Sequence, residues 1–472
     1  MHNLNSSALL SFVSKVWDDQ VIPRLVDYIR IPCKSPHYDS DWQSNGHLER
    51  AVQFAEAWCR AQTLPGMRLE VLRLRGRTPL LYFEIPGAGD STVLLYGHLD
   101  KQPEMEGWRE GFGPWTPVIE QGRLYGRGGA DDGYAVFAAL TAILGLRDQG
   151  IAHARCVGII ECCEESGSYD LPAYLEALGK RLGDVSLVIA LDSGCGDYQR
   201  MWTTTSLRGI IGGTLCVQVL TEGVHSGDAS GIVPSSFRIA RTLLDRMEES
   251  ASGRVLPAEF HCAIPAERTN QATQAGSILG EGVWTKFPFA AATQPMAGDP
   301  AEAILNRTWR PFLSVVGADG LPPIAQAGNV LRPRTALKLS LRIPPTLDAE
   351  QASRHLKRLL EADPPAGAAV SFEPDQAASG WNAPATAHWL RDALDRASVA
   401  HYGQPAAMVG EGGTIPFMGM LGTQFPRAQF LITGVLGPRS NAHGPNEFID
   451  VAYAKKLTAC VAQIIAAHAR EV

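Results

Sequence analysis

Side chains that could bind a divalent cation follow three apolar segments of the sequence. In chain order they are His98 and Asp100 after "VLLYG", Glu164 and Glu165 at the end of "CVGIIECCEE", and Asp192 after "SLVIAL". Continuous apolar runs of this kind predict buried strands of a largely parallel sheet. Because the carboxyl ends of such strands share one edge, where ligands bind, we expect these side chains to lie close together.

Two further segments supply candidate ligands. The segment "GRGGADDG" places Asp131 and Asp132 directly before a long helical pattern. The segment "NAHGPNE" places His443 in a polar loop after the apolar run "FLITGVL". This loop is too short and too polar to bury a histidine for packing alone.

Each of these residues also has an ordinary structural interpretation. The paired aspartates could cap the following helix, the paired glutamates and Asp192 could lie in solvated turns, and His98 could be a structural histidine. The combination favours metal binding, because carboxylates crowded at one edge repel one another unless cations neutralise them. Imidazole nitrogens with carboxylate oxygens suit zinc, and also manganese or cobalt, without any cysteine.

The elements that must position these residues change character along the chain. Up to about residue 207, strand-like runs alternate with helical segments such as "DDGYAVFAALTAILGLRDQG". Residues 208–382 contain half-exposed strand patterns, each followed by a helix, and residues 256–328 there receive no assignment. We predict an α/β catalytic domain over 1–207 and 383–472, with a mostly parallel sheet and helices on both faces. A smaller α+β domain is inserted between the two parts.

Composition excludes several classes of partner. The 472 residues carry a net charge of -7, with 45% hydrophobic and 19% charged residues, which indicates a soluble globular protein without a nucleic-acid or membrane partner. No uninterrupted apolar run reaches eighteen residues, so we expect no membrane-spanning segment. Nine irregularly spaced cysteines favour a reducing cytoplasm over a disulfide framework. The adjacent Cys162 and Cys163 are interpreted as a buried strand end.

The ordered motifs "YGHLDKQPE", "GRGGADDG", "CEESGS", "LDSG", "GVHSGDASG", "GEGGTIP" and "NAHGPNE" resemble those of one enzyme family. This is the dizinc metallopeptidase family of carnosinases, cytosolic non-specific dipeptidases, aminoacylases and succinyl-diaminopimelate desuccinylases. The resemblance spans nearly the whole chain and is closest to the dipeptidase and carnosinase subgroup. It implies hydrolysis of dipeptide amide bonds by a metal-bridging water, in a homodimer joined through an inserted lid and dimerisation domain at 208–382.

The resemblance also assigns the metal ligands. One ion, most simply zinc, is assigned to His98 and Asp192, and the other to Glu165 and His443. Asp131 is assigned to both ions as the bridging carboxylate.

The remaining roles follow from the same resemblance. Glu164 matches the general base, and Asp100 matches the carboxylate that orients the imidazole of a metal-bound histidine. His225 matches the histidine that stabilises the oxyanion, which dimeric members supply from the neighbouring subunit. Without the resemblance, Arg342 would be interpreted as a surface strand residue. The residues that match substrate-contacting positions are Arg342, Asn329, Thr414 and Gly413.

Two departures from the carnosinase pattern concern substrate recognition. Asn329 stands where a small hydroxyl residue is usual, and "AASGWNAP" lacks a histidine that is common there. Both departures argue against carnosine as the substrate. The alternative activity is that of an N-acyl amino acid hydrolase, such as a succinyl-diaminopimelate desuccinylase, with the same ligands and a different acyl pocket. A non-catalytic binding protein should lack the base or a ligand, and all are present here.

Overall fold

The computed structural model describes residues 4–471. The helices are α1 Ser6–Val16, α2 Ile22–Ile29, α3 Trp42–Asn45, α4 His47–Ala61, α5 Ala135–Asp148, α6 Leu171–Leu178, α7 Ser226–Ala229, α8 Ser236–Leu244, α9 Ala266–Leu279, α10 Gly282–Thr285, α11 Pro300–Thr308, α12 Ala349–Glu361, α13 His388–Tyr402, α14 Pro416–Gln424 and α15 Val451–His468. The strands are β1 Arg68–Leu72, β2 Leu80–Ile85, β3 Ser91–His98, β4 Val118–Glu120, β5 Arg123–Tyr125, β6 Arg155–Glu161, β7 Asp184–Ala190, β8 Trp202–Leu207, β9 Gly209–Gln218, β10 Val224–His225, β11 Glu248–Glu249, β12 Arg254–Val255, β13 Phe312–Asp319, β14 Val330–Leu331, β15 Arg334–Ile343, β16 Ala369–Ala378, β17 Trp381–Asn382, β18 Ala407–Glu411, β19 Gln429–Ile432 and β20 Phe448–Asp450.

The chain divides into two compact units. Unit 1 consists of the described residues up to Thr205, together with Ala383–Val409 and the described residues from Met420 onward. Unit 2 consists of Ser206–Asn382 and Gly410–Gly419. The first two boundaries lie within two residues of the positions expected from the sequence. The segment 410–419, which the sequence analysis placed in the catalytic domain, belongs instead to unit 2. A short glycine-containing segment has no periodicity that could indicate which core it joins.

Unit 1 is built around a six-stranded sheet with the order β1-β2-β6-β3-β7-β19. The pairs β6–β3, β3–β7 and β7–β19 are parallel, whereas β1–β2 and β2–β6 are antiparallel. The sheet is therefore mixed, and its parallel part contains the strands that end at the candidate ligands. Strand β2 is antiparallel to both of its neighbours but is as buried as β6, β3 and β7, so its apolar residues alone do not indicate its direction.

Helix α5 lies in the core of unit 1. The segment Gly129–Asp148 is long and apolar enough, by length and composition, to cross a membrane, although the sequence analysis expected no such segment. In the structure 94% of this window is buried inside the protein. A helix that is apolar on all sides is expected at the centre of a large core, where α5 packs against α15, α1 and β3.

Unit 2 contains a four-stranded antiparallel sheet with the order β13-β15-β9-β16. Helices α8 and α12 pack on this sheet, which gives the predicted α+β pattern of three strands and two helices, and β13 adds an edge strand. The segment 256–328, left unassigned from the sequence, contains α9, α10, α11 and β13. Helix α9 buries mostly small and polar residues, so it has no apolar stripe that a periodicity argument could detect.

Candidate metal centre

Three adjacent parallel strands of unit 1 deliver most of the predicted ligands to one edge of the sheet. β3 ends at His98, Glu164 and Glu165 follow β6, and Asp192 follows β7. Because β6, β3 and β7 are neighbours in that order, their carboxyl ends meet. The antiparallel pair β5–β20 lies in a second, three-stranded sheet, in which it brings the chain before Asp131 beside the chain after His443.

His98 is completely buried, and its Nε2 faces two carboxylate groups. Its Nδ1 lies 3.0 Å from the backbone carbonyl oxygen of Asp100. When Nδ1–H of a neutral imidazole donates a hydrogen bond to this oxygen, Nε2 is left unprotonated, as a metal ligand must be. Nε2 lies 3.4 Å from Asp131 Oδ1 and 3.8 Å from Asp192 Oδ2. It has no hydrogen-bond partner among residues 4–471, which is costly for a buried nitrogen unless a cation binds there.

Asp131 faces both histidines, as a bridging carboxylate requires. Its Oδ1 is directed at His98, while its Oδ2 lies 3.0 Å from His443 Nε2. The same His443 nitrogen lies 3.4 Å from Glu165 Oε2. Gln102 donates a hydrogen bond of 2.6 Å to that Glu165 oxygen and so fixes the carboxylate.

The carboxylates of this centre are crowded. Potential ligand atoms of His98, Glu164 and Asp192 lie within 4.8 Å of one another, as do those of His98, Asp131 and Glu165. Burial, followed by the charge of Asp192, raises the pKa of Glu164 well above its usual range. Burial, followed by Asp131, raises the pKa of Glu165 to about 8. Divalent cations would remove this repulsion, and a set of imidazole and carboxylate donors suits them.

Asp100 connects the loops after β3 and β6. Its Oδ1 accepts a hydrogen bond from the backbone N–H of Glu164 at 3.1 Å, and its Oδ2 accepts one from that of Glu165 at 3.0 Å. The Asp100 carboxylate lies 3.5 Å from His98 Nδ1, farther than the Asp100 carbonyl oxygen. The carboxylate therefore positions the two glutamates more directly than the imidazole that the sequence analysis expected it to hold.

The second aspartate of "GRGGADDG" supports β3. Asp132 is fully buried, and its Oδ2 accepts a hydrogen bond of 3.2 Å from the backbone N–H of His98. A Cβ atom at Gly97 would lie 2.8 Å from this oxygen and 2.6 Å from the Cβ of Ala135, so only glycine fits there. No side chain caps the start of α5 among the described residues, so neither aspartate has the capping role that was its alternative interpretation.

A buried ion pair next to the centre was missed by the sequence analysis. Arg127 Nη1 donates to Glu447 Oε2 at 2.6 Å, and both side chains are buried. Arg127 Nη2 also donates to the carbonyl oxygens of His443 at 3.0 Å and Gly444 at 2.8 Å. These bonds hold His443 in a left-handed conformation (φ 64°), which a histidine rarely adopts. The signal was available, because the arginine and the glutamate lie inside the motifs "GRGGADDG" and "NAHGPNE".

The remaining predicted site residues lie in unit 2, in two groups. His225 is exposed on β10, where it pairs with Val330 of β14, and Ser226 N–H donates to the carbonyl oxygen of Asn329 at 2.9 Å. In the second group, Arg342 of β15 donates from Nη1 to Thr414 Oγ1 at 3.0 Å, and Gly413 adjoins Thr414.

The chain is similar to known proteins in sequence and in fold. The model of peptidase family M20/M25/M40 matches residues 94–467, which is more than half of the chain. The cysteinylglycine-S-conjugate dipeptidase of Corynebacterium striatum is 26% identical over 368 residues, covering 77% of this chain and 78% of that enzyme.

Two solved structures share the fold along nearly the full length. The dipeptidase Dug1p of Saccharomyces cerevisiae superposes with a TM-score of 0.79 at 19% identity, over 99% of both chains. Human carnosine dipeptidase 1 superposes with a TM-score of 0.75 at 21% identity, over 99% of this chain and 100% of that one. At this level of identity the superpositions establish a shared mixed α/β fold.

Proposed function

Because this chain belongs to peptidase family M20/M25/M40, we propose that it is a dipeptidase that uses two divalent metal ions. The observation that carries the proposal is the position of Asp131 between two imidazoles, 3.4 Å from His98 and 3.0 Å from His443. The similarity to a bacterial dipeptidase over three quarters of the chain supports the substrate class.

The proposed ligand sets divide the centre between two ions. His98 and Asp192 would hold one ion, Glu165 and His443 would hold the other, and Asp131 would contribute to both. Zinc suits these donors, with manganese and cobalt as alternatives. When bound, such a pair of ions polarises an amide carbonyl and lowers the pKa of a water molecule from 15.7 toward about 7.

Glu164 acts as the proposed general base and acid. It follows β6 beside the ligands, and its raised pKa shows that its environment favours the protonated carboxyl group. A carboxylate in such a position can accept the proton of the attacking water and deliver it to the leaving nitrogen. Asp100 keeps Glu164 in place through the backbone N–H at 3.1 Å.

Unit 2 supplies the proposed substrate contacts. The guanidinium group of Arg342 can bind a terminal carboxylate through two parallel hydrogen bonds, and Thr414 fixes its direction. His225 is proposed to donate a hydrogen bond to the negative charge that develops on the carbonyl oxygen, a contribution of about 2.7–4 kcal/mol in comparable sites. Asn329 and Gly413 are proposed to contact the substrate backbone.

We also propose that the protein forms a homodimer through unit 2. Val315 and Val316, on the edge strand β13, are 48% and 63% exposed, and Ile324 and Ile232 are 95% and 82% exposed. An edge strand with exposed apolar side chains is a template for pairing with a second chain. A Val316→Lys variant should shift the molar mass measured by light scattering toward the monomer; an unchanged dimer would exclude this strand from the interface.

A cytoplasmic location fits the thiol chemistry. All nine cysteines are free in the structure, and six of them are buried. A reducing compartment keeps such thiols unpaired.

Activity measurements test the proposed function. The chelator-treated protein should cleave no dipeptide, and added zinc or manganese should restore cleavage. Dipeptide cleavage that persists without metal would contradict the mechanism. Preferential turnover of N-succinyl or N-acetyl amino acids over dipeptides would establish the alternative activity of an N-acyl amino acid hydrolase.

A further inference from the structure

Three arginines of unit 2 converge around the segment that contains Thr414. Arg208 lies just before β9 and is 9% exposed, Arg307 lies on α11, and Arg342 lies on β15. We call these three residues the arginine cluster. Thr414 Oγ1 connects two of them, because it donates to the carbonyl oxygen of Arg208 at 2.6 Å and accepts from Arg342 Nη1 at 3.0 Å.

Arg208 and Arg307 border the same space beside Gly412. A Cβ atom at Gly412 would lie 3.1 Å from Arg208 Nη2 and 3.1 Å from Arg307 Cγ. A side chain at Gly412 would therefore collide with both residues, so glycine allows the two arginines to approach each other closely at this point. The like charges interact: burial, followed by Arg342 and Arg307, lowers the pKa of Arg208 to about 9, which still leaves it charged at neutral pH.

The protein supplies little negative charge to this cluster. No carboxylate lies within ion-pair distance of any of its three guanidinium groups in the described part of the chain. Arg208 donates only to backbone carbonyl oxygens at 3.3–3.4 Å, and the buried Nε of Arg307 has no hydrogen-bond partner within residues 4–471. Glu411 is the carboxylate that acts on Arg307, and it also acts on another cation, Lys286.

Buried cations without counter-charges are expensive, so a site built this way is expected to receive anions. One substrate carboxylate, the terminal one proposed to bind Arg342, would use only part of this charge. Arg208 and Arg307 retain donors for a second carboxylate. Guanidinium groups match carboxylates in shape and charge, which makes such contacts strong and specific.

We propose that the arginine cluster binds two carboxylates of one substrate residue, so that preferred dipeptides end in aspartate or glutamate. This inference rests on the proposed dipeptidase activity. Arg342 receives the terminal carboxylate, and Arg208 with Arg307 receives the carboxylate of the side chain. Arg208 and Arg307 are specificity-determining residues in this scheme.

The test compares substrates that differ only in charge. The metal-loaded enzyme is assayed with Ala-Glu and Ala-Gln, which have nearly the same shape, and kcat/KM is measured for both. We expect Ala-Glu to be preferred by about tenfold or more, because a buried arginine rewards a carboxylate over an amide. An Arg307→Gln variant should bring the two values of kcat/KM close together, and Arg307→Lys should restore part of the preference.

A matched control lies on the same strand as Arg342. Arg334, at the other end of β15, is exposed and pairs with Asp319 at 2.6 Å, so an Arg334→Gln variant should keep the full preference for Ala-Glu. Calorimetry with the metal-loaded protein provides a second measurement that needs no turnover. Glutamate should bind more tightly than glutamine to the wild-type protein, and this difference should vanish in Arg307→Gln.

The outcomes separate the inference from the proposed function. Cleavage of Ala-Glu and Ala-Gln with equal kcat/KM overturns the inference and leaves the dipeptidase activity intact. Absence of any dipeptide cleavage overturns the proposed function. In that case tighter binding of glutamate than glutamine still supports the arginine cluster as a dicarboxylate site, and equal binding overturns it.

Discussion

The two units each contain a crowded cluster of charges, and the clusters have opposite signs. In unit 1, the carboxylates of Asp131, Glu164, Glu165 and Asp192 surround two imidazoles. In unit 2, three arginines lie around the segment that contains Gly412 and Thr414, and Glu411 is the carboxylate that acts on one of them, Arg307. In both clusters, the described residues of the protein supply too little opposite charge to balance the cluster.

The buried ion pair of Arg127 and Glu447 differs from both clusters, because its two charges balance each other. Arg127 and Glu447 are as deeply buried as the clusters, but each satisfies the other at 2.6 Å, and backbone groups use the remaining donors and acceptors. This pair positions other residues, whereas we propose that the two unbalanced clusters bind ligands. The proposed ligands are cations in unit 1 and anions in unit 2.

The largest effect is expected for Glu164, the proposed general base in the cluster of carboxylates. Glu164→Gln should lower kcat/KM for a dipeptide by about 10²–10⁴-fold, because a proton acceptor in the transition state is lost. Elemental analysis should still find two metal ions per chain, which distinguishes a base from a ligand. Glu106→Gln, at an exposed glutamate, is the matched control and should change neither value. Retained turnover in Glu164→Gln would remove this residue from the mechanism.

The next largest effect is expected when the buried ion pair of Arg127 and Glu447 is broken. Glu447→Gln should lower the free energy of unfolding of the metal-free protein by about 3–5 kcal/mol, because the buried Arg127 loses its counter-charge. The control pair Arg109–Glu120 is nearly half exposed, and Glu120→Gln should cost about 1 kcal/mol or less. Urea unfolding measures both variants. Equal losses would show that burial does not distinguish the two pairs.

A smaller effect is expected in the arginine cluster. Arg342→Lys should raise KM for a dipeptide by about tenfold, because a single ammonium cannot reproduce the two parallel hydrogen bonds of a guanidinium. The corresponding dipeptide amide lacks the terminal carboxylate, so its kcat/KM should be nearly the same in both proteins. If Arg342→Lys lowers kcat/KM for the dipeptide amide as much as for the free dipeptide, Arg342 does not contact the terminal carboxylate.

The smallest effect is a pH dependence of stability in unit 1. Burial raises the pKa of Glu165 from 4.5 to about 8, so the folded metal-free protein holds a proton that the unfolded chain releases. The free energy of unfolding should therefore fall as the pH rises from about 4.5 to 8. Cations bind the deprotonated ligands, so the increase in melting temperature on adding zinc should grow over the same interval. If zinc raises the melting temperature equally at pH 5 and pH 8, the assignment of Glu165 as a metal ligand is contradicted.

The proximity of several residues of the candidate metal centre could be predicted because these residues follow strands. His98, Glu165 and Asp192 each come directly after an apolar run, and parallel strands must end together. His443 lies in the part of the chain that follows the insertion, and the polar composition of its loop predicted that it is a ligand.

What escaped prediction depends on contacts between distant segments. The pairing of Arg127 with Glu447 joins residues 320 positions apart, and the arginine cluster combines residues from three elements and a loop. Neither has a periodic pattern. The polar helix α9 and the antiparallel direction of β2 were missed for a related reason. The spacing of apolar residues within a segment does not show which other segment it packs against or pairs with.

The most direct measurement of the central claim is anomalous scattering from crystals of the protein grown with zinc. We expect two peaks per chain, one between His98 and Asp192 and one between Glu165 and His443, with Asp131 between them. Crystals that show no peak among these side chains, or a single peak that His443 does not contact, would contradict it.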